Sequence, residues 1–151
     1  MRTAQEWLDA YGESHQNPTN KKIHWVCIPW IMISVLGLLA SIPSPFDNPW
    51  LSWATGVIAL AIGYYALISI PLAIGMAAIS AVMLVVVHVL AGLPIPLWAS
   101  SLIIFVIAWI FQFIGHKIEG KKPSFFEDLQ FLLIGPMWLL AAIYRRVGIG
   151  Y

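Results

Sequence analysis

WLSWATGVIALAIGYYALISIPLAIGMAAISAVMLVVVHVLA, residues 50–91, is a stretch with no Asp, Glu, Lys or Arg. A helix needs about 20 apolar residues to cross the hydrocarbon core of a bilayer, so this stretch is too long for one crossing. The tripeptide Ser-Ile-Pro at 69–71 divides it, because proline interrupts a helix that is already under way. The stretch therefore predicts two membrane spans, at about 50–69 and 71–91.

The sequence on either side supplies two more apolar segments. Asn17 is a favourable N-cap and Pro18 a favourable first helical residue, so a helix is predicted to begin there and to form a span over 23–42. A fourth span is predicted over 97–115, after the tight connection Gly-Leu-Pro-Ile-Pro at 92–96. The chain is thus predicted to contain about four transmembrane helices.

Both ends of the chain are predicted to be helical without crossing the membrane. Residues 2–15 form an amphipathic pattern suited to the membrane surface, with one apolar face at spacings of three and four: Ala4, Trp7, Leu8, Tyr11 and His15. The weaker segment 129–144 contains Gln130 and is expected to be interrupted by Gly135 and Pro136. An interrupted apolar segment is typical of a re-entrant or interfacial helix.

Composition places the chain among all-α integral membrane proteins. It is 60% hydrophobic and 10% charged, whereas soluble domains are about a quarter charged. We expect one membrane-embedded helical domain over 1–151. The net charge of +1 gives no basic surface for nucleic acid, and Cys27, the only cysteine, excludes a disulfide framework and a thiolate metal site.

Lysine and arginine positions predict the orientation, because they prefer the cytoplasmic ends of spans. The connections 43–49 and 92–96 contain neither residue type. The basic residues lie before the first span, after the fourth and at the end of the last segment: Arg2, Lys21, Lys22, Lys117, Lys121, Lys122, Arg145 and Arg146. This distribution predicts four spans, with both chain ends in the cytoplasm and a C-terminal segment that turns back.

This topology groups three of the four histidines. His24 begins the first span and His116 ends the fourth, so an even number of spans puts both at the cytoplasmic edge, next to His15. His88 lies near the other edge, roughly 30 Å away, and is expected to bond to a neighbouring helix or to interfacial water.

Local spacing is compatible with a metal site at the cytoplasmic edge. Asn20 and His24 are four residues apart and share a helical face, as do Gln112, His116 and Glu119. A Glu and a His three apart recur in carboxylate metal sites of helical bundles, and imidazole with carboxylate suits non-haem iron.

From spacing alone, ordinary polar residues at span ends are favoured over a metal site. Two other classes also stay open. One is a haem-binding electron carrier with His24 and His116 as axial ligands, and the other is a non-catalytic scaffold or lipid-binding protein.

Two sequence blocks add a resemblance to a known family. The first is YGESHQNPTNKKIH at 11–24, followed by an apolar span with an early proline, Pro29. The second is WIFQFIGH at 109–116, then KIEGKKP at 117–123 and the segment 129–136. In this order the blocks resemble the Fe(II)-dependent 2-hydroxy fatty acid dioxygenase family, whose layout matches along nearly the whole chain.

The resemblance implies an integral membrane enzyme of fatty acid alpha-oxidation. Such an enzyme would use Fe(II) and O2 to shorten 2-hydroxy long-chain fatty acids by one carbon. The resemblance also implies that His15, His24 and His116 are the histidines needed for activity, and Asn20 and Gln112 fall on matching positions. The site would face the cytoplasm, from the cytoplasmic membrane of a bacterium or the endoplasmic reticulum of a eukaryote.

Glu119 departs from the family pattern, because eukaryotic members carry the acid one place later. It is expected to be a metal ligand, a residue that orients an imidazole, or a solvated charge. Lys21 and Lys121 are expected to attract a substrate carboxylate, or to serve with the other lysines only as topology determinants.

Overall fold

The computed structural model describes residues 2–46, 48, 50–124 and 129–151, and within these ranges all regular structure is helical. The described residues form six α-helices, in chain order α1 Ala4–Gly12, α2 Pro18–Ala40, α3 Trp53–Ile68, α4 Ile70–Ala91, α5 Leu97–Glu119 and α6 Phe131–Val147. The predicted all-α class is confirmed for the described residues.

Helix α2 begins where its capping residues predict. The side chain of Asn17 accepts hydrogen bonds from the backbone N–H groups of Thr19 and Asn20, and Pro18 occupies the first helical position. These contacts satisfy donors that would otherwise lack a partner at the helix start. The helix continues through Pro29 to Ala40, two residues short of the predicted end.

A single residue separates α3 from α4, as the Ser-Ile-Pro tripeptide predicts. Ser69 is extended, with φ −162° and ψ 120°, and its side chain caps α4 by accepting from the backbone N–H of Leu72. Helix α3 is shorter than the predicted segment 50–69, because it begins at Trp53 and ends at Ile68.

Within the part of the chain that the structure describes, three helices are long and apolar enough to cross a membrane: α2, α4 and α5, with 23, 22 and 23 residues. Helix α3 has 16 residues, or about 24 Å at 1.5 Å per residue, and is apolar but shorter than the roughly 30 Å hydrocarbon core. A fourth crossing by α3 stays a prediction.

Neighbouring helices run antiparallel, which gives the bundle two distinct ends. Gly37 of α2 lies against Ser101 of α5, whereas Asn20 of α2 lies against Gly115 of α5. Likewise, the start of α3 packs against the end of α4, through Ala54. We call the end that contains the start of α2 and the end of α5 the site end, and the opposite one the far end.

Helices α1 and α6 pack together at the site end. Helix α1 is shorter than the predicted 2–15, but it buries the predicted apolar residues Trp7, Leu8 and Tyr11 against α6. Gly135 makes this close approach possible, because a Cβ there would lie 2.9 Å from the hydroxyl oxygen of Tyr11. The predicted interruption by Gly135 and Pro136 is wrong, since α6 is continuous through both residues.

Both ends of α6 contact residues of the site end. The Tyr64 hydroxyl donates to Gln130, just before α6, and the Tyr65 hydroxyl donates to the backbone carbonyl of Leu133. Near the other end of α6, the Tyr144 hydroxyl donates to the carbonyl of Pro71, at the start of α4. Both ends of α6 thus lie close to the connection between α3 and α4.

Candidate metal centre

Three histidines from three parts of the chain meet at the site end. His15 follows α1, His24 lies two turns into α2 and His116 lies one turn from the end of α5. Each could offer a ring nitrogen to a metal ion, and these nitrogens all lie within 4.8 Å of one another. Among the described residues this is the group of His, Cys, Asp and Glu side chains that could hold a metal ion.

The three rings are almost completely buried and nearly perpendicular to one another. His15 and His24 are 1% exposed and His116 is 5% exposed. Ring centroids lie 4.3 Å apart for His15 and His24, 4.9 Å for His24 and His116, and 5.0 Å for His15 and His116. Edge-on packing of this kind directs ring nitrogens towards a shared point instead of stacking ring faces.

Backbone carbonyls determine which nitrogen of two rings is available. His15 Nδ1 lies 2.6 Å from the carbonyl oxygen of Tyr11, and His24 Nδ1 lies 2.9 Å from that of Asn20. A carbonyl only accepts hydrogen bonds, so each Nδ1 donates and each Nε2 keeps a free lone pair. Histidines that bind metals are commonly fixed by such a bond from the other ring nitrogen.

The distances fit a shared ion. His24 Nε2 lies 3.2 Å from His116 Nε2. Two nitrogens at about 2.1 Å from one ion are about 3.0 Å apart at a right angle and about 3.4 Å apart at a tetrahedral angle. Without an ion, His116 Nε2 could donate to His24 Nε2 instead, so this pair alone does not decide the chemistry.

His15 provides the deciding observation. Its Nε2 is buried and has no hydrogen-bond partner. Burial lowers the pKa of His15 to about 4, so the ring is neutral near pH 7 and Nε2 carries a lone pair. Leaving such an atom unsatisfied costs about 1–3 kcal/mol, and a metal ion bound by all three rings removes that cost.

The same distances do not fit a haem between His24 and His116. The plane of a haem bound by both rings would lie between their nitrogens and would require them to be about 4 Å apart. The 3.2 Å separation leaves no space for that plane. The cavity beside the rings, about 70 Å³, is also far smaller than a cofactor of that size.

Glu119 lies outside the histidine cluster and holds a loop instead. Its two carboxylate oxygens accept from the backbone N–H of Gln16 at 2.8 Å, the backbone N–H of Asn17 at 2.9 Å and Asn20 Nδ2 at 3.0 Å. These donors lie at the start of α2, where a negative charge is favourable. These bonds join the end of α5 to the loop that contains His15, and the role of Glu119 as a ligand, an orienting residue or a solvated charge stays a prediction.

The other predicted residues are placed around the cluster. Asn20 is fully buried, and its Nδ2 also donates to the carbonyl of Ser14 at 3.3 Å. Gln112 lines the cavity, and its Oε1 is buried without a partner. Lys121 Nζ donates to the carbonyl of Glu13, and Lys21 is half-buried in the first turn of α2.

Sequence reasoning missed several contacts around His15. The Tyr11 ring stacks on His15 at 4.1 Å, and Trp138 of α6 lies 5.6 Å from the same ring. Ser14 and Ser124 are both buried and hydrogen-bond to each other at 2.5 Å. The four-residue spacing of Tyr11 and His15 could have suggested the stacking, but nothing local in the sequence relates Trp138 or Ser124 to His15.

Comparison with known proteins decides the family. The family described as "2-hydroxy-palmitic acid dioxygenase Mpo1-like" matches residues 1–147. The chain belongs to the Mpo1-like family. The resemblance drawn from the two sequence blocks is thereby confirmed.

A curated relative agrees with this assignment to the Mpo1-like family. The chain is 27% identical over 145 residues to the protein named 2-hydroxy-palmitic acid dioxygenase MPO1 from Saccharomyces cerevisiae (strain ATCC 204508 / S288c). The alignment covers 93% of this chain and 79% of the yeast protein. No solved structure matches the chain significantly.

Proposed function

We propose that this protein is a membrane dioxygenase that uses O2 to convert a 2-hydroxy long-chain fatty acid into the fatty acid one carbon shorter. The observation that carries the proposal is the buried, unpartnered Nε2 of His15 beside the Nε2 atoms of His24 and His116. Membership of the Mpo1-like family supports the substrate class.

Iron is the metal that fits both the ligands and the reaction. Imidazole suits Zn, Cu, Fe and Ni, but zinc has no redox chemistry, and a dioxygenase must activate O2. Fe(II) held by His15, His24 and His116 would supply the redox chemistry that couples O2 to carbon–carbon bond cleavage. The three protein ligands leave coordination positions for small molecules.

The reaction balances with O2 as the only co-substrate. The bond between the carboxyl carbon and carbon 2 breaks, and carbon 2 becomes the carboxyl carbon of the shorter acid. The lost carbon leaves as CO2 and the remaining oxygen leaves as water. The 2-hydroxyl and the carboxylate lie on adjacent carbons, so both can reach a single metal-binding site.

The residues around the cavity would bind and orient the polar end of this substrate. The cavity of about 70 Å³ holds a headgroup but not a long acyl chain. Gln112 lines this cavity and is 5% exposed, and its amide oxygen, which has no hydrogen-bond partner, could accept from the 2-hydroxyl. The apolar lining, which includes Ile28 and Phe131, would limit the access of bulk water.

Charge supports an orientation with the site end in the cytoplasm. The basic residues of α2 and α5 lie at this end, and Arg146 lies over the Trp25 ring near the start of α2. Basic residues prefer the cytoplasmic side. Four crossings, by α2 to α5, with a non-crossing α6, would keep all of them there. Lys21 and Lys121 would then attract the substrate carboxylate from that side.

One assay tests the proposed function. The protein, purified in detergent and loaded with Fe(II) without oxygen, receives 2-hydroxypalmitate and then O2, and mass spectrometry measures pentadecanoate and CO2. We expect both products in equal amounts from the wild type and none from His24→Ala. Iron-loaded wild-type protein that consumes no substrate would contradict the proposal. A Soret band would indicate a haem carrier, and lipid binding without iron or turnover would indicate a scaffold.

A further inference from the structure

A second cavity lies on the outer face of α5. It measures about 540 Å³ and is lined by residues of α5, by Leu129 just before α6 and by Leu132 within α6. Its lining is entirely apolar: Phe105, Val106, Trp109, Ile110, Phe113, Leu129 and Leu132. We call this feature the α5 groove. Its size is in the range of pockets that hold lipid-sized ligands.

The α5 groove adjoins the cavity beside the histidines. Trp109 and Leu132 line both. Along α5, the residues Phe105, Trp109, Gln112 and His116 follow at spacings of four, three and four, so they share one face of the helix. The distance along the helix from His116 to Phe105 is about 16 Å at 1.5 Å per residue.

The two cavities differ in the way that the two ends of an amphipathic substrate differ. The cavity at the histidines is small and is lined by Gln112, whose amide oxygen is buried without a hydrogen-bond partner. The α5 groove is open and apolar, with one wall formed by a row of aromatic rings. Ring centroids in this row are 6.0 Å apart for Phe105 and Trp109, and 5.6 Å apart for Trp109 and Phe113.

We propose that the α5 groove holds the acyl tail of the 2-hydroxy fatty acid, and that Phe105 and Val106 at its far limit determine the preferred chain length. This inference rests on the proposed function, which supplies the substrate class. Surrounding lipid is as apolar as the groove, so selection comes from the fit of the tail against these side chains and not from hydrophobic transfer.

A matched pair of substitutions tests the groove. Val106→Trp fills its far limit, while Val85→Trp makes the same change on α4 outside the groove, at a similar exposure of 53% against 48%. The measurement is kcat/KM for 2-hydroxypalmitate and for 2-hydroxyoctanoate. We expect Val106→Trp to lower the ratio of kcat/KM for 2-hydroxypalmitate to kcat/KM for 2-hydroxyoctanoate at least tenfold. Val85→Trp should leave the ratio within twofold of the wild type.

If the ratio of the two kcat/KM values is unchanged in Val106→Trp, the groove proposal is overturned and the proposed function is unaffected. Wild-type protein that turns over neither substrate would contradict the proposed function instead. In that case the groove is tested without turnover, with a palmitate analogue that carries a photoreactive diazirine at its end. Labelling at Phe105 and Val106 that 2-hydroxypalmitate competes away supports the groove. Equal labelling around Val85 overturns it.

Discussion

Histidines are buried at one end of the bundle and exposed at the other. At the site end, His15, His24 and His116 are buried and their rings face one another. At the far end, His88 is exposed and stacks on the Trp50 ring at 4.7 Å. Exposure lets His88 bond to interfacial water, so its imidazole requires no protein partner.

This difference indicates where the fold retains costly polar groups. Among the described residues, the side-chain atoms buried without a hydrogen bond at the site end include His15 Nε2, Asn20 Oδ1 and Gln112 Oε1. Folding energetics alone would favour apolar side chains at such positions. A ligand that completes these bonds explains why three such atoms lie together at the site end. Among the described residues, the far end also buries an atom of this kind, Ser101 Oγ beside Gly37, but its core is otherwise formed by apolar residues such as Leu36 and Val87.

The largest change is expected when a histidine of the site end is replaced, and none when the histidine of the far end is replaced. His15→Ala removes one proposed ligand, and we expect Fe(II) affinity to fall by at least about 100-fold, with activity reduced to background. His88→Ala is the matched control at the far end and should leave both unchanged. Anaerobic Fe(II) titration measures the affinity, and circular dichroism checks that each variant is folded. Equal losses in the two variants would contradict a specific site at the site end.

A smaller effect is expected at Glu119. Glu119→Gln keeps one acceptor oxygen but removes the charge that holds the N–H groups of Gln16 and Asn17. The loop that contains His15 should loosen, and Fe(II) affinity should fall about tenfold. Glu13→Gln, an exposed acid in the segment just before His15, serves as the control and should change affinity less than twofold. Loss of iron as complete as in His15→Ala would show that the carboxylate is itself a ligand.

The smallest effect concerns the contact between α2 and α5. A Cβ at Gly115 would overlap Asn20 Oδ1, so Gly115→Ala should force the two helices apart and destabilise the fold by about 1–3 kcal/mol. Gly56 in α3 has open space around it, and Gly56→Ala should be neutral or stabilising by up to about 1 kcal/mol. Thermal unfolding in detergent measures both. A larger loss of stability in Gly56→Ala than in Gly115→Ala would contradict the packing described for the site end.

Local signals in the sequence predicted most of the helical layout. Asn17 and Pro18 mark the start of α2, and the Ser-Ile-Pro tripeptide marks the boundary at Ser69, because capping and proline chemistry act within a few residues. The grouping of His15, His24 and His116 followed from the parity of the spans and the family resemblance, since it needed only the end of the bundle on which each residue lies.

Contacts between segments that are distant in the chain could not be predicted from the sequence. The spacing of His116 and Glu119 suggested two ligands on one face, but the Glu119 side chain turns to the loop at Gln16, which lies 103 residues away in the chain. Pro136 suggested an interruption, yet α6 remains helical because it packs against α1 and α4. Tertiary packing overrides local propensity in such cases.

In the proposed enzyme, three imidazoles at the site end hold one iron ion. Iron X-ray absorption spectroscopy of the Fe(II)-loaded protein tests it most directly, because scattering from imidazole rings identifies histidine ligands. We predict three imidazoles, with iron–nitrogen distances of about 2.0–2.2 Å, and the same spectrum in His88→Ala. A spectrum with oxygen ligands and no imidazole scattering would exclude iron binding by His15, His24 and His116.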